Sequence, residues 1–400
     1  MLPKGFAAAG MHCGIAKKKN KKDLAVFYSL YPSVATGMFT SNLAKAAPVL
    51  VSQKHLRNGK NFRLIVANSG CANACTGERG MRDAEMSCAE AAKLADLEAG
   101  EVLVASTGVI GRFLPSDKLK AGIKKLVPAV IKGKSNERSA VEAIMTTDTM
   151  PKIARRETVL DKRKISVWGC AKGSGMIHPS LKPFHATMLS FIMTDAAITP
   201  FALDKALKPA VEKSFNCVSV DGDTSTNDTV IILSNGAALN KTITDKDKNL
   251  EIFEDALTGV CLDLAKMIAA DGEGATKFIE IEVRNADTEK SAKKAAETIA
   301  TSPLVKTAAF GNDANWGRIM AAAGRSGAKF NPDKVDIYFD KLLVVKRGQA
   351  VNYSERKATG ILKQKKVRII VDLHQGKKSA KYYTCDFSYD YVKINGSYRS

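Results

Sequence analysis

The chain has 400 residues, 45% of them hydrophobic and 26% charged, with a formal net charge of +20 at pH 7. That length supports one large α/β domain or two ordinary ones around a sizeable core, and the composition is that of a globular protein. No apolar run reaches bilayer-spanning length, and Met1-Leu2-Pro3-Lys4-Gly5 lacks the apolar stretch of a secretory signal, so a cytoplasmic protein away from membranes is expected.

In chain order, the run Lys17 to Lys22 interrupts strand-like sequence as a hairpin tip does, and Lys363-Gln364-Lys365-Lys366 repeats that texture. Neither run carries the interleaved aromatics or the binding module of a nucleic-acid site. The basic face is therefore read as solvated, with attraction of anionic small substrates as a milder role.

Arg63 to Asn68 reads as a buried strand ending at Ser69-Gly70, and a helix is expected from about Asp83 to Glu98, with Met86, Ala89, Leu94 and Leu97 on one face. Glu101 to Ser106 is a second strand, halted by Thr107-Gly108, and Pro115-Ser116-Asp117 opens a further helix. An apolar strand follows Thr187, Thr199-Pro200 starts a helix over about 201–215, and Thr229 to Leu233 is a short buried strand. A helix is expected over about 250–270. Beyond Lys277 the pattern alternates at 278–283, 335–339 and 367–373, which suggests half-buried antiparallel strands. The fold class read from this order is α/β, helices layered on β-sheet, with a smaller β-rich region at about 278–390.

The eight cysteines are scattered, with no C-x-x-C pair and no nearby His to complete a zinc set, so reduced and mostly buried thiols are expected, with no metal. Polar, glycine-rich turns close several strands. Ser106-Thr107-Gly108-Val109-Ile110-Gly111 can aim backbone N–H groups or the Thr107 hydroxyl at a developing oxyanion, or serve as an ordinary strand-to-helix turn. Similar turns are Thr146 to Thr149, Lys172 to Gly175, Asp221 to Asp228, Asp271 to Thr276 and Gly311 to Arg318. The Asp221 stretch lacks the Gly and distal Glu of a calcium loop, and Gly272-Glu273-Gly274 is not a phosphate-binding loop.

The Ala186-Thr187 step follows Gly173-Ser174-Gly175-Met176 and leads into the apolar strand. A small residue before a Thr at the mouth of a core strand suits a chain that cuts itself. The hydroxyl attacks the preceding carbonyl in an N-to-O acyl shift, and hydrolysis leaves Thr187 as a new N-terminus. Its α-amine is then the base for its own hydroxyl. The same dipeptide also opens ordinary strands.

Taken in order over essentially the whole chain, these loops resemble the ornithine acetyltransferase family, the glutamate N-acetyltransferases or ArgJ proteins of arginine biosynthesis. The resemblance is carried by Gly5 to Gly10, Gly37 to Asn42, Asn68 to Gly77, Val220 to Asp228, Asn315 to Arg318 and Ile394 to Tyr398. It implies a self-cleaving fold of the N-terminal-nucleophile hydrolase type, cut into an α chain, 1–186, and a β chain, 187–400, that stay together as a cytoplasmic α2β2 heterotetramer. It implies that Thr187 carries acetyl from N-acetylornithine to glutamate in a ping-pong reaction. Thr107 and Gly108 match the oxyanion-hole pair. Thr146 or Thr147, Lys172, Thr187, Glu273, Asn395 and Ser400 match the substrate-binding positions. Lys172 suits a substrate carboxylate, and Glu273 a cationic amine. No cofactor is implied; use of acetyl-CoA as a second donor would make the enzyme bifunctional. One departure stands out: Lys182-Pro183-Phe184-His185 is inserted between Pro179-Ser180-Leu181 and the scissile Ala186. The rival readings are a self-processing amidase or aminopeptidase and, from another class, a basic nucleic-acid-binding protein.

Overall fold

The long strand Leu24–Phe39 is the spine on which the first part of the chain is assembled. The computed structural model describes residues 1–59, 61–178 and 188–397. They divide into two units, Met1–Asn216 with Asp223–Leu264, and Cys217–Gly222 with the residues from Ala265 onward. The elements of the first unit are β1 (Phe6–Met11), β2 (Leu24–Phe39), α1 (Ala47–Asn58), β3 (Phe62–Asn68), α2 (Gly77–Ala95), β4 (Val102–Ser106), α3 (Ser116–Ile131) and α4 (Glu137–Ile144). They continue with β5 (Lys152–Leu160), β6 (Arg163–Lys172), β7 (Leu189–Thr194), α5 (Pro200–Glu212), β8 (Thr229–Ser234) and α6 (Asn249–Ala270), the last of which crosses the unit boundary.

These strands form one sheet in the order β4-β3-β2-β8-β7-β6-β5, with β1 paired to β2. Alternate residues of β2 serve opposite faces: Ala25 and Phe27 pack with Phe191, Trp168 and Ile231, whereas Leu24, Val26 and Tyr28 pack with Leu64, Val104 and the α2 and α3 residues Cys88 and Ile123. Helices cover both faces, which is why β7 and β8 are buried at every position and read as continuous apolar runs rather than alternating ones. Lys17 to Lys22 do lie in the connection of the antiparallel β1–β2 hairpin.

The second unit contains β9 (Phe278–Ala286), α7 (Glu289–Ala300), α8 (Pro303–Gly311), α9 (Trp316–Gly324), β10 (Asp336–Phe339), β11 (Leu342–Lys346), β12 (Gln349–Ala350), α10 (Glu355–Leu362), β13 (Lys366–Asp372), β14 (Lys378–Cys385) and α11 (Tyr389–Gly396). Its six-stranded sheet runs β12-β11-β10-β13-β9-β14, with α7 packed on β9 and β14. The protein is thus α/β, with helices layered on two sheets.

Three expectations are corrected. The pair β9–β13 is parallel, because α7 to α10 and the β10–β12 meander intervene and return the chain in the same direction. Lys363 to Lys365 form a helix-to-strand turn after α10 and Lys366 opens β13, so this run is not a hairpin tip. Helix α2 begins at Gly77 and ends where Asp96 takes a left-handed conformation at φ 54°, ahead of Gly100. It buries Ala84, Ser87, Cys88, Ala91 and Ala92 and leaves Ala89 exposed. Of the eight cysteines, six are buried, Cys13 is intermediate and Cys75 is exposed.

Candidate active site

Four chain segments meet where β7 begins. Lys172, the last residue of β6, pairs with Leu189, the first of β7, and Leu189 pairs on its other side with Thr229 of β8. The Thr229 N–H donates to the Met188 carbonyl at 2.6 Å, which extends this β8 contact one residue upstream of the strand. Ala186, Thr187 and the inserted Lys182 to His185 lie outside the described residues, as does Ser400.

The Thr107-Gly108 turn is brought to the same place by two asparagines. Asn68, closing β3, accepts the Thr107 N–H on its backbone carbonyl at 3.0 Å and the Ser106 hydroxyl on its side chain at 2.6 Å. Asn227, just before β8, donates its amide to the carbonyls of Ala72 at 2.5 Å and Ser106 at 2.8 Å. The Thr107 N–H is therefore occupied within the turn, and the hydroxyl becomes the side chain's contribution. The Lys172 ammonium donates to Thr107 Oγ1 at 3.1 Å, within a buried setting, so the oxygen accepts there and the hydroxyl keeps its own proton to donate. Gly108 has φ +130°, and a Cβ there would stand 2.5 Å from the Gly70 carbonyl carbon. Only glycine lets this turn press against the Gly70-Cys71 backbone.

Asp148 ties in the loop that follows α4. It accepts from Lys152 at 2.7 Å, from the Gly173 N–H at 2.7 Å and from the Thr146 N–H at 2.9 Å. Burial by itself raises its carboxyl, but Lys172, Lys152 and the Gly173 amide overcome that and hold it down at about 2. Thr146 is fixed further by Lys21, whose ammonium donates to its carbonyl at 2.7 Å. Thr146 and Thr147 are both half-buried.

In the second unit the structure joins Glu273 and Asn395. The Asn395 amide donates to Glu273 Oε2 at 2.8 Å and to the Tyr391 carbonyl at 3.0 Å. Their approach depends on Gly274, at φ +69°, where a Cβ would sit 2.4 Å from the Tyr391 nitrogen; Ser388 Oγ also donates to the Gly274 carbonyl at 2.6 Å. Glu273 is buried, so a cationic partner would meet a desolvated carboxylate.

Thr107, Gly108, Lys172 and the Thr146–Thr147 loop are thus gathered in one unit, and Glu273 with Asn395 in the other. Asp148 and Asn227 were overlooked as site residues, although both stood in turns already singled out. Their signal was Asp and Asn beside Thr in a strand-terminal loop, the residue types that bond to neighbouring backbone. Among the described residues, no group of three or more His, Cys, Asp or Glu is placed to hold a metal ion, and no helix is long and apolar enough to cross a membrane.

A family model described as the ArgJ family matches residues 7–400. The arginine biosynthesis bifunctional protein ArgJ of Thermotoga neapolitana is 48% identical over 404 residues, covering 100% of both chains. ArgJ 1 of Clostridium acetobutylicum, under the same description, is 50% identical, covering 99% of this chain and 96% of that protein. Among solved structures, the arginine biosynthesis bifunctional protein of Bacillus halodurans is 44% identical with a TM-score of 0.51, covering 52% of this chain and 98% of that one. The chain belongs to the ArgJ family.

Proposed function

We propose that the protein transfers an acetyl group from N-acetylornithine to glutamate, through an acetyl ester on Thr187, in arginine biosynthesis. The observation that carries this reading is the Lys172–Thr107 hydrogen bond, made by the β6 residue that pairs with Leu189, the first of β7. Thr187 precedes Leu189 by two residues, a reach of about 7 Å for extended chain.

After self-cleavage the Thr187 α-amine takes the Oγ proton as Oγ attacks the acetyl carbonyl. The Thr107 hydroxyl and the Gly108 N–H stabilise the oxyanion; the α-ammonium then passes its extra proton to the departing nitrogen as collapse breaks the acetyl C–N bond and releases ornithine. The glutamate amine then attacks the ester and returns Oγ–H. Lys172 is assigned to the substrate carboxylate, either Thr146 or Thr147 to the substrate, Glu273 to its amine, and Asn395 and Ser400 to its amino-acid end. No cofactor enters this scheme. Acetyl-CoA as a further donor is in keeping with relatives described as bifunctional. Those descriptions favour biosynthesis over the hydrolytic and nucleic-acid readings.

Cleavage into 1–186 and 187–400 is supported by the Bacillus halodurans match, in which one solved chain corresponds to 52% of this one. Assembly of two such pairs into α2β2, in the cytoplasm, completes the reading. Intact-mass analysis tests it: two fragments are expected, with acetyl trapped on the 187–400 fragment when N-acetylornithine is given without glutamate. Double-reciprocal plots for the two substrates should be parallel. A full-length active chain, or intersecting lines, would defeat the proposal.

A further inference from the structure

The lysine run in the β1–β2 connection divides in two. Lys17 to Asn20 are exposed, whereas Lys21 and Lys22 are half-buried. The connection is stiffened from within. Buried Asp23 accepts the N–H groups of Cys13 at 2.6 Å, Gly14 at 3.2 Å and Ala16 at 2.7 Å, and His12 Nδ1 donates to the Lys21 carbonyl at 2.7 Å. Lys22 ties it to α4 through Glu142 at 2.7 Å. Lys21 is thereby carried to the loop after α4, where its ammonium donates to the Thr146 carbonyl at 2.7 Å.

That bond fixes more than one atom. The Thr146 carbonyl and the Thr147 N–H share one planar trans peptide unit and point in opposite directions, so holding the carbonyl also sets the N–H. Asp148 holds the Thr146 N–H at 2.9 Å. With the Thr146 backbone engaged on both sides, the Thr147 N–H and the hydroxyls of Thr146 and Thr147 are the donors left over. Among the described residues none of the three has a hydrogen-bond partner. The same frame reaches the oxyanion turn: Asp148 also accepts the Gly173 N–H at 2.7 Å, and Gly173 follows Lys172, whose ammonium is bonded to Thr107. We propose that Lys21 is a positioning residue for acetyl transfer, holding the Thr146–Thr147 peptide so that this loop presents its free donors to a substrate oxygen. The role rests on the proposed reading of that loop as substrate-binding. It gives Lys21 a local task that the exposed lysines of the same run do not share.

The test combines steady-state kinetics with direct binding of ornithine by calorimetry. Lys21→Met keeps the aliphatic stem and removes the ammonium. It should melt near wild type, raise KM for N-acetylornithine and weaken ornithine binding, each about tenfold or more, the scale of one hydrogen bond from a charged group. Its kcat should hold, as when binding common to ground and transition states is lost. Lys21→Arg, which restores a charged donor, should bring KM back. Lys19→Met removes an equal charge from the exposed part of the connection and should leave KM at the wild-type value, which separates positioning from general attraction of anions. Wild-type KM and ornithine affinity in Lys21→Met, or an equal rise in KM in Lys19→Met, overturn the proposal. If Lys21→Met does not fold, Lys21→Gln, polar but shorter in reach, takes its place under the same criteria. Failure of both to fold assigns Lys21 to stability alone and also overturns it. Wild-type protein that transfers no acetyl group defeats the proposed function instead, so the two failures are distinguishable.

Discussion

At the scale of single residues, the site is a set of donors whose directions are fixed by their neighbours. Thr107 is the clearest case, since its N–H is spent on Asn68 and its oxygen accepts from Lys172, which leaves the hydroxyl one proton to donate. Thr107→Ala should lower kcat by roughly ten- to a thousandfold, with little change in KM, as for loss of one oxyanion donor; unchanged kcat in steady-state assays would remove Thr107 from the mechanism. Asp148 makes a stability prediction. Its carboxyl is depressed to about 2 in the folded chain, so the stabilisation is fully present above the unfolded value near 3.8 and is lost as pH falls from about 4 towards 2. The difference is worth about 2 kcal/mol. Thermal melts of wild type should therefore fall steeply across that window. Asp148→Asn should be less stable at neutral pH and show a flatter acid limb; parallel limbs would contradict the assignment.

At the scale of elements, turns decide whether these residues meet. Gly108→Ala would force a Cβ into the Gly70 carbonyl and hold an L-residue at φ +130°, a strain of about 1–3 kcal/mol before any backbone shift. We expect a lower melting temperature together with loss of activity larger than that of Thr107→Ala, because the whole turn must retreat from Cys71. A variant with wild-type melting and rate would show that the turn tolerates a side chain. How far the sequence revealed these elements follows from what each one buries. Strands covered on both faces, such as β4 and β8, appear as unbroken apolar runs bounded by Gly or polar turns, and so do their ends. The face of α2 was misread because it packs through small residues, Ala84, Ser87, Cys88 and Ala91, whose burial leaves a weak hydrophobic signature. Strand direction in β9 and β13 was hidden for another reason: alternation reports a half-buried face and says nothing about which neighbour is parallel. Of the candidate site, Thr107, Gly108 and Lys172 stand in turns that the sequence marks out, whereas the bonds of Asp148 to Gly173 and of Asn227 to Ser106 tie together segments distant in sequence.

At the scale of the whole molecule, sheet order dictates what a cut before Thr187 would do. In the first unit, β7 and β8 belong to the 187–400 side, yet they lie between β2 and β6, both from the 1–186 side. Six registered pairs join β6 to β7, from Val167↔Thr194 to Lys172↔Leu189, and six more join β2 to β8, from Val34↔Ser234 to Phe39↔Thr229. Without β7 and β8 the 1–186 segment would keep β1 to β4 as one ribbon and β5–β6 as another, with no ladder between them and the apolar edges of β2 and β6 exposed. Exposed edges of that kind drive aggregation rather than an independent fold. The cut would therefore sever the chain without severing the sheet. We predict that the two fragments co-elute under native conditions and separate only in denaturant, at the concentration where far-ultraviolet circular dichroism is lost. Residues 1–186 produced alone should be insoluble, and co-production with 187–400 should restore soluble protein. Recovery of either fragment as a folded, isolated species would contradict this interleaved arrangement as the source of their association.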